Sequence, residues 1–135
     1  MRVVLLLLAL LFAFTPSAFA ADDVAAAQSV IRAQEQAFSR DDAAAAYSYA
    51  APAIKEIFPE ASIFMLMVRE SYAPVYRHKS FEFGEARTDG NWIAQRVHII
   101  DADGEAWEAL YTLERQPDGS LKITGCSLLK MGQAA

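Results

Sequence analysis

The hydrophobic period of this chain changes once, from three-and-four to two near Val75, and that switch limits the fold more than any other feature. Before it, Val24, Ala27, Ile31, Gln34 and Phe38 recur at the spacing of one helix face, with Asp22 or Asp23 as the expected N-cap. Ser39-Arg40-Asp41-Asp42 interrupts that pattern, and Asp41 is placed to cap a second helix carrying Ala43, Ala46, Tyr47 and Ala50. Ala51-Pro52 ends it, and a short turn is expected over Ile54, Ile57 and Phe58. Pro59-Glu60-Ala61-Ser62 opens a third helix with a buried stripe of Phe64, Val68 and Tyr72, and Ala73-Pro74 stops it.

After the switch, turn pairs arrive at regular intervals between alternating runs. Ser80 to Arg87 forms one strand with Phe81 and Phe83 on a shared face, and Asp89-Gly90 turns the chain. In the next run Ile93, Gln95, Val97 and Ile99 alternate with Trp92, Ala94, Arg96 and His98. Asp103-Gly104 leads into Ala106 to Arg115, which puts Trp107, Ala109, Tyr111 and Leu113 together. Pro117-Asp118-Gly119 precedes a last strand with Leu121, Ile123 and Leu129 on one side. Helices followed by a meander predict an α+β fold: three N-terminal helices packed on a curved four-stranded antiparallel sheet.

That order of elements, together with the stretch DGSLKITGC, resembles the nuclear transport factor 2-like (cystatin-like) superfamily, whose α+β cone encloses a pocket between helix and sheet. The stretches FPEASIFMLMVRESYAPVYR and ALYTLERQPDGSLKITGC are similar to an exported bacterial family, domain of unknown function 4864, and the resemblance runs from about Val30 to Leu129. It implies the cone but no activity, because that scaffold hosts enzymes, ligand binders and interaction modules alike.

The first twenty residues read as a secretory signal rather than as part of the domain. Arg2 precedes an apolar run from Val3 to Phe14, and Ala18-Phe19-Ala20 fits the small-residue cleavage rule. The run is about a dozen residues, short of the ~20 that a membrane-spanning helix requires. Residues 1–20 are thus expected to be removed, leaving a single domain over residues 21–135 that is exported to the periplasm or secreted, with no membrane span after cleavage. No cysteine stands near the cut to accept a lipid.

Without Arg2 the chain carries 11 basic and 17 acidic side chains, a net charge of −6, scattered rather than clustered. No basic stripe is present to neutralise phosphates, so nucleic acid is not expected as a partner. Cys126 is the only cysteine, which rules out an intrachain disulfide and leaves packing to stabilise the fold. Following Gly125 in an apolar strand, it reads as core filler rather than as an activated thiol.

The two histidines, His78 in the lead-in loop and His98 on a strand, do not share a ligand spacing, and neither a metal nor another cofactor is expected. Glu82, Glu108 and Glu114 alternate away from the apolar face, and Asp101 and Asp103 fall at a strand end or turn. This pattern argues against acid-base catalysis by the sheet. Tyr72, Tyr76, Gln95 and Tyr111 remain on or beside the apolar faces and are the candidate ligand-binding residues. Trp92, Arg96 and His98 share the opposite face and are the candidate interface for a homodimer. The expected function is therefore a non-catalytic module that binds a small apolar-polar ligand or another exported protein. The alternative is a small cofactor-free acid-base enzyme of isomerase or lyase type.

Overall fold

A computed structural model describes residues 18–132 as five helices followed by four strands. The expected signal segment falls largely on residues 1–17, which lie outside the described residues. Helix α1 spans Ala18–Ser39, α2 Ala43–Ser48, α3 Pro52–Ile57, α4 Ala61–Ser71 and α5 Ala73–Tyr76. The strands are β1 (His78–Asp89), β2 (Trp92–Asp101), β3 (Ala106–Arg115) and β4 (Leu121–Lys130), paired antiparallel in that order. The fold is α+β, with two longer helices, α1 and α4, and three short ones in place of the three helices expected.

Ala27, Ile31, Gln34 and Phe38 form the buried stripe of α1, which packs against β1, β2 and β4. Because α1 begins at Ala18, Asp22 and Asp23 lie inside the helix rather than capping it, and Asp23 pairs with Arg115 at the end of β3. The cap of α2 falls one residue later than the sequence reading placed it: Asp42 accepts from the Ala45 amide at 3.0 Å. Asp41 is needed for something else. At φ 55° it occupies the left-handed region, which Asp tolerates better than most residues, and it turns the chain between α1 and α2.

Prolines open α3 and α5, where the missing amide hydrogen costs nothing. Phe64 on α4 gathers the rings of Tyr47, Phe38 and Phe58 at centroid distances of 5.6, 6.3 and 6.4 Å, and Val68 and Met65 complete the buried side of that helix.

Period-two alternation holds along β2, where Ile93, Gln95, Val97 and Ile99 are buried while Trp92, Arg96 and His98 are exposed. The turns close at Gly90, Gly104 and Gly119, with φ of 57°, 85° and 87° that only glycine adopts readily. His78 is not in a loop but is the first residue of β1.

Three register shifts curve the sheet. On β1 an extra residue enters between His78 and Ser80 and another between Phe83 and Ala86; on β4 Thr124 is inserted where Thr112 meets Gly125. Each such insertion bends its strand and reverses the facing of the residues beyond it. Past Thr124, therefore, Leu128 packs against the core and Leu129 is 63% exposed, opposite to unbroken alternation from Leu121. The segment between α2 and α3 closes over β4: Ile123 donates to Tyr49 O and Ala51 donates to Ile123 O, both at 2.8 Å.

Candidate functional site

The bend at Thr124 and the aromatic cluster around Phe64 leave space between them. A cavity of about 280 Å³ opens there, roofed by α3 and α4 and floored by β3 and β4. From the helices it receives Gln34 and Phe38 of α1, Ile54 of α3 with Phe58 after it, Phe64, Met67 and Val68 of α4, then Tyr72 and Val75. From the sheet it receives Tyr111 and the run Ile123 to Ser127. No lining residue is acidic, basic or a histidine.

The polar groups of this wall are few and mostly committed. Gln34, only 4% exposed, sends its amide Nε2 to Ala46 O at 3.1 Å; since a carbonyl only accepts, the orientation of the amide is fixed and Oε1 is left as an acceptor with no donor among the described residues. Thr124 Oγ1 donates to Thr112 Oγ1 at 2.8 Å. Tyr111 is 2% exposed and stands opposite Cys126 on the neighbouring strand. Burial pushes the Cys126 thiol up to about 12, against a smaller lowering influence of the Tyr111 hydroxyl. Burial likewise raises the Tyr111 phenol well above its usual value, helped by Cys126 and Glu35. Both groups are uncharged at neutral pH, and the cavity is electrostatically neutral.

Of the four candidate ligand-binding residues, Tyr72 and Tyr111 reach this cavity, and Tyr76 and Gln95 stand outside its lining. Gln95 is fully buried beneath the β1 bulge, where Nε2 donates to Gly84 O at 3.0 Å and Arg96 O at 2.8 Å. Its Oε1 accepts from Gln28 of α1 at 3.1 Å. A bulge leaves strand carbonyls without ladder partners, and the Gln95 amide supplies them. The Tyr76 hydroxyl instead donates to Asp41, which also takes both Arg77 contacts at 3.1 Å and faces Arg69 at 3.6 Å. The Tyr76 hydroxyl and, after it, Arg77 hold the Asp41 carboxyl below the usual carboxylate value. This network ties the α1–α2 corner to α4 and α5.

Trp92, Arg96 and His98 lie together on the outer sheet face, with Trp92 48% exposed and Arg96 bonded to Glu108 at 2.7 Å. His98 rests on Gly84: a Cβ there would stand 2.7 Å from the imidazole Nε2, so no larger residue fits without displacing the ring.

Sequence reading did not bring out Glu35. Its Oε1 takes Arg32 at 2.6 Å and its Oε2 meets His78 Nε2 at 2.6 Å, while His78 Nδ1 donates to Pro74 O at 2.9 Å. Arg32 further bonds Phe81 O and lies over the rings of Phe81 and Phe83. Neither Glu35 nor His78 lines the cavity. The local cue was faint: Arg32 and Glu35 sit at the i, i+3 spacing of a helical ion pair, but nothing near them announces His78. Among the described residues no group of three or more His, Cys, Asp and Glu is placed to hold a metal, and no helix is long and apolar enough to cross a membrane.

Five helical segments over a bent antiparallel meander, enclosing a neutral cavity, define an α+β cone. The chain belongs to the family described as a domain of unknown function (DUF4864), whose model matches residues 18–135. The cone is similar to a crystal structure of an NTF-2 like protein of unknown function from Silicibacter pomeroyi DSS-3, at TM-score 0.58 and 14% identity over 82% of this chain and 97% of that one. A SnoaL-like protein of unknown function from Burkholderia thailandensis E264 aligns over 80% of this chain and 97% of its own at 19% identity and TM-score 0.44. The first likeness shows the fold alone, the α+β cone that this chain shares with that NTF-2 like protein. No curated protein sequence matches this one.

Proposed function

We propose that the protein is an exported, non-catalytic module that holds a small ligand between its helices and β4. The observation that carries this reading is the cavity of about 280 Å³ with an apolar, uncharged wall interrupted by a few oriented polar groups. Ligand sites are built that way: apolar walls supply affinity and a few fixed polar atoms supply orientation. Tyr72 and Tyr111 contribute two of those atoms, and Gln34 joins them. Acid-base catalysis has less support, because Glu35 and His78 are engaged with Arg32 and Pro74 O and do not line the cavity. Export rests on the sequence before Ala21, and cleavage there is compatible with the domain. It removes only Ala18–Ala20 from α1 and leaves Asp22 and Asp23 at the new helix start, where acidic residues favour the dipole.

The test is mass spectrometry of the natively exported protein. We expect a new N-terminus at Ala21 and a co-purifying small molecule that is lost in Met67→Trp, a substitution that fills the half-buried wall while preserving the circular-dichroism spectrum. A wild-type protein that retains residues 1–20 in a membrane would overturn the export reading. Retention of the same molecule by the filled variant would overturn the cavity as its site.

A further inference from the structure

We infer that the ligand of this cavity is an uncharged molecule of one or two rings that donates a hydrogen bond, from a hydroxyl or ring N–H, to Gln34 Oε1. This rests on the reading of the cavity as a ligand site and specifies the chemistry that fits it. Gln34 belongs to the buried stripe of α1, between Ile31 and Phe38, where an apolar residue would pack without cost. One side of its amide is explained by Ala46 O, a fixed partner 3.1 Å away. The other side, Oε1, is open to the cavity rather than sealed in the protein and has no donor among the described residues, so a molecule that covers it loses affinity unless it donates a hydrogen bond of its own.

Charge narrows the class. A ligand carboxylate or ammonium would lose its hydration on entering and meet no opposite charge among the lining residues. Glu35, which lies close enough to influence Tyr111, is already neutralised by Arg32 and bonded to His78. Shape narrows it again. Phe38, Phe58, Phe64 and Tyr72 present ring faces or edges to the space, which suits a flat ring over a branched aliphatic body. At about 280 Å³ the cavity sits at the low end of the ~300–1,000 Å³ range of ligand clefts, so one or two rings fill it.

Four probes of one ring size separate the possibilities at pH 7: naphthalene, 2-naphthol, 2-methoxynaphthalene and 2-naphthoate, titrated into the mature protein and followed by calorimetry. We expect 2-naphthol to bind several-fold more tightly than naphthalene, 2-methoxynaphthalene to behave like naphthalene, and 2-naphthoate to bind most weakly. Gln34→Met should abolish the advantage of 2-naphthol while leaving naphthalene binding in place. Since Met also gives up the bond to Ala46 O, the comparison of 2-naphthol with its methyl ether on the unaltered protein stands independently of that variant. Equal binding of 2-naphthol and its ether, or tightest binding of 2-naphthoate, overturns this inference and leaves the cavity as a ligand site. Failure of all four probes to bind overturns both.

Discussion

Glu35 on α1 and His78 at the start of β1 meet through a 2.6 Å contact between Oε2 and Nε2, although 43 positions separate them in the chain. His78 Nδ1 faces Pro74 O, which only accepts, so Nδ1 carries a hydrogen and Nε2 is the atom that meets Glu35. The pair fastens the first helix to the first strand at the point where the helical half of the chain ends. Both side chains are largely buried, at 13% and 14% exposure.

Glu35→Leu is expected to lower the unfolding free energy by about 1.5–3 kcal/mol, the range for a hydrogen bond to a charged group whose partner is then left buried. Urea denaturation monitored by tryptophan fluorescence measures it. A change within ~0.5 kcal/mol, typical of surface substitutions, would show that the contact adds nothing to stability.

Gln95→Met retains bulk but strands the Gly84 and Arg96 carbonyls under the β1 bulge and releases Gln28. The expected loss is about 1–3 kcal/mol. Since Gln95 does not line the cavity, affinity for 2-naphthol should be unchanged in the folded fraction. A variant as stable as the parent would mean that the bulge tolerates unpaired carbonyls.

Cys126 should be inert to a disulfide reagent in the folded protein at pH 8 and fully reactive in 8 M urea, a denaturant concentration chosen to exceed the unfolding midpoint of small domains by ~2 M or more. Burial holds the thiol at about 12, above the ~8.5 of an unfolded cysteine. The folded state therefore binds this proton more tightly than the unfolded one does. The resulting stability is fully present below the unfolded value and is lost as pH rises toward the folded one. Cys126→Ala should flatten that alkaline decline. An equally steep decline in the variant would assign it to other groups.

The exposed Trp92 shares its face with Arg96 and His98, and we propose that two copies associate there. Trp92→Asp is expected to convert a dimer to a folded monomer in sedimentation velocity. A parent protein that is monomeric at high micromolar concentration would remove this face from consideration.

Much of the architecture was legible because strand alternation and glycine turns are local. The run from Trp92 to Ile99 specifies its two faces by itself, and the turns at Gly90, Gly104 and Gly119 arise from residues adjacent in sequence. Features that depended on distant pairing were not legible. The facing of Leu129 reverses because Thr124 has no counterpart on β3, which only the partner strand determines. Gln34 was visible as a member of the α1 stripe, and an amide on an otherwise apolar face is a cue that a polar partner or ligand is needed there. Its bond to Ala46 O, and hence which end of the amide is left over, required the packing of α2. Gln95 was read from the correct face of β2, but its role is set by the bulge in β1, a feature with no signature of its own beyond Gly84-Glu85.

The inserted residue at Thr124 gives chain length a say in what the cavity can hold. Gly125 to Ser127 keep their β3 partners whether or not Thr124 is present, so deleting Thr124 would leave every remaining side chain of β4 on its own face and remove the bend. The thiol of Cys126 would stay on the floor beside Tyr111 while the strand beneath it straightens. A gene encoding this scaffold can thus reshape its interior through a three-nucleotide deletion that changes the curvature of one strand and substitutes no side chain.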